Sequence, residues 1–451
     1  MRIDTEFASL ALKEAIGLGA EKAEIFIRVR KGVSAESKGG ALEAVKTSRD
    51  FGYSVRVIKG SRSGFSYSTR QEDFRDVARD AIGAAAYTEE DPFFTLPSFS
   101  GPAEKNIPPT PEIYDRLIEE ITPELAFQKA LSMERSAMES DGRIKLVRGC
   151  TASFNTEEVF IVNSNGVSGG FESTSASAQL MAVAEEGKES QMGWDFMGGC
   201  FLSDVRFEQV GRQAAQKALM MLGAGRTSPM KALVVLDSGV AAEFLGVFAS
   251  MLSAESVQKG KSMLKGRTGQ SVIHKNLDII DDGLLSHALG TRPFDDEGVP
   301  AGRKVLIEGG VLKGYMHNSY TAAKDGTKST GNGLKPSISS PPVVEPLNFF
   351  LGAHDGRNFG RDELISRAGK GIYVIEAMGM HTINPVSGEF SVGISGLLIE
   401  NGKLSRPVKE AIISGNILDL FGKVEAVGND LRFYGQTGSP SILIGAVDIS
   451  A

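Results

Sequence analysis

Between Lys231 and Leu252 the hydrophobic period of the chain changes. Ala232, Leu233, Val234, Val235 and Leu236 form an unbroken apolar run, the pattern of a short strand covered on both faces. After Asp237-Ser238-Gly239, apolar residues recur at helical spacing, at Val240, Phe244, Val247, Phe248, Met251 and Leu252. Asp237 or Ser238 can cap the first turn, because a short oxygen-bearing side chain satisfies free backbone N–H groups there. The pattern predicts a strand feeding a helix that presents Ala242, Glu243 and Val247 on its first turns.

The same reading organises the rest of the chain. A helix is predicted over Thr5 to Leu18, then strands at Ala23 to Arg30, Leu42 to Thr47, Tyr53 to Ile58 and Ser63 to Ser68, with Lys59-Gly60-Ser61-Arg62 as a hairpin turn. A helix over Glu72 to Tyr87 completes an α-β-β-β-α unit within residues 1–90. Pro92, Pro97, Pro102, Pro108, Pro109 and Pro111 then mark a linker over 91–111. Residues 112–225 form a middle α/β segment. It has helices from Glu112 to Met138, interrupted at Thr122-Pro123, and from Phe207 to Leu222. Its strands run over Lys145 to Phe154, Val159 to Val162 and Phe171 to Ala184, with Asn165-Gly166 as a hairpin turn. Gly223-Ala224-Gly225 stops the last helix, and glycine-spaced short strands fill 226–451. The fold class is α+β: an N-terminal α/β region with antiparallel sheets and helices, then a C-terminal β-rich domain.

Composition narrows the function. A chain of 451 residues is long for one core and suggests two or three domains. A net charge of −7 supplies no phosphate-neutralising excess, so a nonspecific nucleic-acid surface is not expected. The start, Met1-Arg2-Ile3-Asp4-Thr5-Glu6, has no basic-then-apolar leader pattern, and the apolar stretch at 232–252 carries Asp237 and Glu243. Two cysteines, Cys150 and Cys200, fit free thiols in a reducing compartment. The expectation is a cytoplasmic protein that does not cross a membrane.

Several stretches invite a chemical reading. A helical zinc site needs two imidazoles on one helix beside a glutamate that activates water, and the helix after Asp237 has only Glu243. The five histidines, His274, His287, His317, His354 and His381, lack local ligand spacing. Gly166-Val167-Ser168-Gly169-Gly170 matches a nucleophile-elbow pattern, but the strand-like alternation after it points to a β-hairpin. Gly326 to Gly333 is rich in glycine yet lacks the lysine order and the strand-to-helix frame of a phosphate loop. Asp295-Asp296-Glu297-Gly298 could offer oxygens to a hard cation; consecutive acids point apart, and a solvated turn is the simpler reading.

Five segments in the second half occur in a telling order: Thr291-Arg292-Pro293-Phe294-Asp295-Asp296-Glu297-Gly298-Val299-Pro300, Lys328-Ser329-Thr330-Gly331-Asn332-Gly333, Asn384-Pro385-Val386-Ser387-Gly388-Glu389-Phe390-Ser391, Ser414-Gly415-Asn416 and Val427-Gly428-Asn429-Asp430. Together they resemble the TldD/PmbA family, long labelled modulators of DNA gyrase and regarded as peptide-cleaving metalloproteases. The resemblance spans nearly the whole chain.

The resemblance implies two kinds of subunit. The TldD kind carries two histidines flanking a glutamate on the helix described above, and a cysteine near the C-terminus. Those histidine positions fall on Ala242 and Val247, the glutamate on Glu243, and the cysteine region on Tyr434 to Ser439, which has no cysteine. By that comparison the chain is similar to the PmbA kind, also called TldE, with no catalytic or metal-binding residue of its own and zinc expected only on a TldD-like partner. The implied assembly is a heterodimer with that partner, or a homodimer, around a cavity for unfolded or extended peptides. Asp295, Glu297, Asn332, Asn429 and Asp430 are the candidates to line it. Two other readings stay open: a non-catalytic homodimeric binding or regulatory protein, and a metal-independent hydrolase using Ser168 or another nucleophile.

Overall fold

The computed structural model describes residues 3–98 and 111–450, so most of the proline-rich linker expected at 91–111 lies outside the described residues. Helix α1 (Thr5–Gly17) starts where Asp4 accepts hydrogen bonds from the Glu6 and Phe7 amides, and it buries Phe7, Ala8, Ala11 and Ala15. Then come β1 (Lys22–Lys38), β2 (Ala41–Lys59), β3 (Arg62–Ser68) and α2 (Phe74–Ala85). At the β2–β3 turn Gly60 and Ser61 both have positive φ, 57° and 58°, which matches the right-handed twist of the flanking strands. Helices α3 (Arg116–Glu119) and α4 (Pro123–Met138) are followed by β4 (Ile144–Asn163), β5 (Ser168–Glu186), β6 (Glu189–Gly199) and α5 (Phe207–Met220).

Three details depart from the sequence pattern. The runs at Leu42 to Thr47 and Tyr53 to Ile58 belong to the single strand β2, because polar Ser48, Arg49 and Asp50 between them still pair with Gly32, Lys31 and Arg30. The runs at Lys145 to Phe154 and Val159 to Val162 likewise join through Asn155 to Glu158 in β4. Strand β6 has no counterpart in the pattern, because its glycines blur the alternation.

All six strands form one antiparallel half-barrel in the order β3-β2-β1-β4-β5-β6. Its two faces follow from the period of two along a strand. Ile25, Ile27, Tyr53, Val55 and Val57 pack under α1 and α2, and Ala152, Phe154, Ala178 and Leu180 pack under α4 and α5. The alternate residues Glu24, Phe26, Arg28 and Arg30 point the other way, toward the second half of the chain.

That second half begins with β7 (Met230–Leu236) and α6 (Ser238–Met251), as the apolar pattern predicts, then α7 (Ala254–Gln258). Short elements follow: β8 (Leu277–Asp282), β9 (Arg303–Glu308), β10 (Val311–Leu312), α8 (Ser319–Lys324), β11 (Gly333–Leu334), β12 (Val343–Val344), β13 (Phe349–Ala353), β14 (Asn358–Phe359) and α9 (Arg361–Ala368). The chain ends in longer strands: β15 (Gly371–Met378), β16 (Glu389–Glu400), β17 (Lys403–Asn416), α10 (Ile417–Gly422), β18 (Val424–Gly428), β19 (Arg432–Tyr434), β20 (Thr437–Ser439) and β21 (Ile442–Ser450). One sheet runs β10-β9-β8-β13-β20-β19. The other runs β14-β18-β21-β17-β16-β15-β7 and closes into a barrel because β21 also pairs with β7. Helix α6 supplies Val240, Phe244, Leu245, Phe248 and Met251 to the core between these sheets. Each such side chain contributes roughly 1.5–3 kcal/mol through removal from water.

A buried ionic junction joins the two halves. Arg56 of β2 lies 2.6 Å from Glu24 and 2.8 Å from Glu297. Lys335 reaches Glu24 at 3.0 Å and sits 4.3 Å above the Phe26 ring. Burial alone would raise the Glu24 carboxyl, but the charges of Arg56 and Lys335 outweigh it and hold Glu24 below its ordinary value.

Candidate functional site

The site is built where α5 of the first half meets the start of α6. Gly193 on β6 allows the approach: a Cβ there would lie 2.3 Å from the Ala214 carbonyl oxygen of α5. The next inward position of β6 is Asp195, fully buried, which accepts two hydrogen bonds from Arg432, at 3.0 and 2.6 Å, and one from Lys217 at 3.3 Å. Asp237 caps α6 through the Gly239 amide and accepts the Tyr373 hydroxyl at 2.6 Å, with Lys217 3.9 Å away. The Ser238 and Tyr434 hydroxyls are 3.1 Å apart. Lys217, Asp237, Ser238, Tyr373, Arg432 and Tyr434 surround a cavity of about 430 Å³ whose rim includes Arg361 and Asp430, with Asp195 buried behind it.

The protonation states limit what this cavity can do. Burial would discharge Lys217, but Asp237, Tyr434 and Asp195 raise its pKa and keep it a cation. Burial, with Asp237 adding to it, holds the Tyr434 hydroxyl above its usual value against the pull of Lys217. The cavity thus offers one buried cation beside the paired Ser238 and Tyr434 hydroxyls.

One turn further along α6, Ala242 is 3% exposed and Val247 is half-buried, while Glu243 keeps a solvent-facing surface. Burial of its carboxyl by surrounding atoms, reinforced by Glu376 on β15 and opposed by Lys217, pushes Glu243 up to about 7. Burial also raises Glu376. The loop from Tyr434 packs on the same helix: a Cβ at Gly239 would lie 3.2 Å from the Tyr434 ring. The donors along this part of α6 are therefore one carboxylate and no imidazole, with neither histidine nor cysteine in the adjoining Tyr434 to Ser439 segment. That set does not fit the two-imidazole zinc site of a helical motif. Among the described residues, His, Cys, Asp and Glu nowhere gather in threes able to hold a metal ion.

The other candidates are scattered. Asp295 accepts the amides of Glu297, Val299 and Gly333, and burial together with the Glu297 charge raises its carboxyl well above the usual range. Glu297 accepts the Ser319 amide and pairs with Arg56, and Asn332 donates to Asp281 at 2.8 Å. All three are fully buried, so the acidic stretch is neither a solvated turn nor an open cation loop; it forms part of the junction. Asn429 is exposed, and Asp430 accepts the Ser441 amide and hydroxyl at the cavity rim. Ser168 begins β5 after the hairpin, with no helix behind it. The loop before Gly333 is held by the Thr330 hydroxyl, which bonds His317 and Asn332. Cys150 and Cys200 are free, and burial pushes both thiols up to about 12, which leaves them unreactive. Lys217, Asp195, Tyr373 and Arg432 escape sequence reasoning, since they come from separate elements and follow no local motif.

Three family models cover the chain: the PmbA/TldA metallopeptidase domain 1 at residues 23–85, the central domain at 116–222 and the C-terminal domain at 229–451. The chain belongs to the PmbA/TldD metallopeptidase family. It is 28% identical to the metalloprotease PmbA of Escherichia coli O157:H7, over 100% of this chain and 96% of that protein. It is also 26% identical to a TldD homolog of Haemophilus influenzae, over 90% and 85%. Among solved structures, a Thermotoga maritima protein described as a modulator of a DNA gyrase superposes with a TM-score of 0.88 at 26% identity, covering 99% of this chain and all of that one. TldE of Thermococcus kodakarensis shares the fold, with a TM-score of 0.87 at 21% identity and coverage of 99% and 100%. Among the described residues no helix is long and apolar enough to cross a membrane.

Proposed function

We propose that this chain is the non-zinc companion subunit of a cytoplasmic TldD/PmbA-type peptidase, contributing dimer interface and part of a chamber for unfolded or small peptides. What supports this is α6: the family resemblance puts Glu243 at the glutamate position and Ala242 and Val247 at the histidine positions, and neither Ala nor Val has a lone pair to give a metal. A buried Ala242 methyl also leaves little room for an imidazole. The zinc, and the hydrolysis it drives, then belong to a TldD-like partner. The PmbA relative is named a metalloprotease, and that activity comes to this chain through the assembly it joins. The same reading leaves nucleic acid aside, because the chain carries a net charge of −7.

The test is elemental analysis of zinc in the chain purified alone and in the chain purified with its TldD-like partner. Metal in the mixed complex alone is the expected result. Stoichiometric zinc in the isolated chain overturns the reading. Stable self-association with no capture of such a partner favours a homodimeric binding protein instead.

A further inference from the structure

The concave face of the half-barrel holds a second cavity, of about 400 Å³, away from α6. Strand register builds its floor. Arg30, Glu157 and Ser173 lie side by side across β1, β4 and β5, and the next row on the same face is Gly32, Asn155 and Ser175. Arg28 lies on that face one pleat back, in the row of Val159 and Phe171. From the second half of the chain Arg292 closes over the floor, its guanidinium 5.7 Å from the Phe171 ring, with Gln436 beside it.

Two guanidinium groups, of Arg30 and Arg292, line the cavity, and Arg28 lies beside it with one N–H donated to the Lys335 carbonyl. Arg30 forms two hydrogen bonds to Glu157, and Arg28 approaches the same carboxylate at 3.9 Å. Arg292 pairs with Asp296 at 2.8 Å, and its Nε is buried without a partner. Asp296 is shared with the Lys335 amide. Each lining arginine thus has one carboxylate partner, and the half-enclosed site adds the Ser173 and Ser175 hydroxyls and the Asn155 and Gln436 amides as neutral donors. Guanidinium forks match the planar geometry of an oxyanion. Burial and the repulsion of Arg30 and Arg292 lower the Arg28 pKa against the attraction of Glu157 and Asp296, whereas Asp296, Glu157 and Asp295 outweigh burial and raise that of Arg292.

We propose that Arg30 and Arg292, with the neutral donors around them, form an oxyanion-binding site on the concave sheet face, for a carboxylate of a peptide or a free phosphate. Glu157 occupies part of that site in the absence of ligand and competes with it. The proposal is independent of where zinc resides, so its failure and that of the companion-subunit reading are separately visible.

Calorimetric titration of the full chain tests it with three probes: inorganic phosphate, and one short peptide made with a free C-terminal carboxylate or with an amide. Binding of phosphate alone assigns a free anion, and preference for the carboxylate over the amide peptide assigns a peptide terminus; either supports the site. Arg30→Gln, at a half-exposed position, weakens that binding about tenfold. Glu157→Gln tightens it, a change of sign that misfolding does not produce. Absence of binding by all three probes, or binding indifferent to both substitutions, overturns the proposal.

Discussion

Arg56 on β2 and Glu297 in the acidic segment lie 2.8 Å apart although they come from opposite halves of the chain, and both are shielded from water. Glu24 completes the arrangement at 2.6 Å from the same arginine. Removing one partner leaves an uncompensated buried charge, so Glu297→Gln is expected to destabilise the protein by about 3–5 kcal/mol. Urea unfolding monitored by Trp194 fluorescence measures it. A loss below about 1 kcal/mol would show that the junction is solvated.

The junction also sets the acid limit of stability. Glu24 is held below its usual value in the folded state, so its contribution is complete above the unfolded value near 4.5 and disappears as pH falls through the folded one. Unfolding free energy measured downward from pH 6 should fall with a steeper slope in the wild type than in Glu24→Gln. Equal slopes would remove Glu24 from the acid transition.

Glu243 acts with the opposite sign. Its folded value is about 7, raised from 4.5, so the folded protein holds a proton that the unfolded chain has lost over that window. Stability therefore declines as pH rises from about 4.5 to about 7 and then levels off. Glu243→Gln should abolish that decline and exceed the wild type in stability at pH 8. If the two proteins keep parallel curves from pH 4 to 8, burial at this position is not felt by the carboxyl.

Gly193→Ala forces a methyl to within 2.3 Å of the Ala214 carbonyl and the Ala218 amide. Overpacking against a helix costs typically about 1–3 kcal/mol, and the helix displaced is the one that carries Lys217. Thermal unfolding should show the loss, and a crystal structure should show Lys217 drawn back from Asp195. An unchanged melting temperature would mean that α5 yields freely.

Phe248→Ala opens a cavity beneath α6, where Phe248 stacks edge-on against Phe421 at 4.9 Å. The expected loss is about 3–5 kcal/mol in denaturant unfolding. A smaller loss would show that the core relaxes around the missing ring.

Much of the fold is legible in local signals along the chain. The apolar helical period from Thr5 marks α1, Thr122-Pro123 marks the start of α4, and the switch of period at Asp237 marks β7 and α6. The long strands β2 and β4 read as two pieces each because their middles are polar. Of the cavity, Asp430 is legible through the family pattern and Asp237 through the cap of α6. Asp195, Lys217, Tyr373 and Arg432 meet through tertiary packing, and no spacing in the sequence encodes that meeting.

Strand β21 has a consequence for the order in which this protein forms. The barrel is closed by Ile442, Leu443 and Ile444 pairing with Leu236, Val235 and Val234, residues far apart along the chain. Such pairings are late and slow, because a long loop must be closed before any contact rewards it. Until β21 arrives, β7 has an open, almost wholly apolar edge, the kind that recruits a strand from another molecule. Refolding yield should therefore depend on protein concentration, and the vulnerable interval ends when that last strand docks.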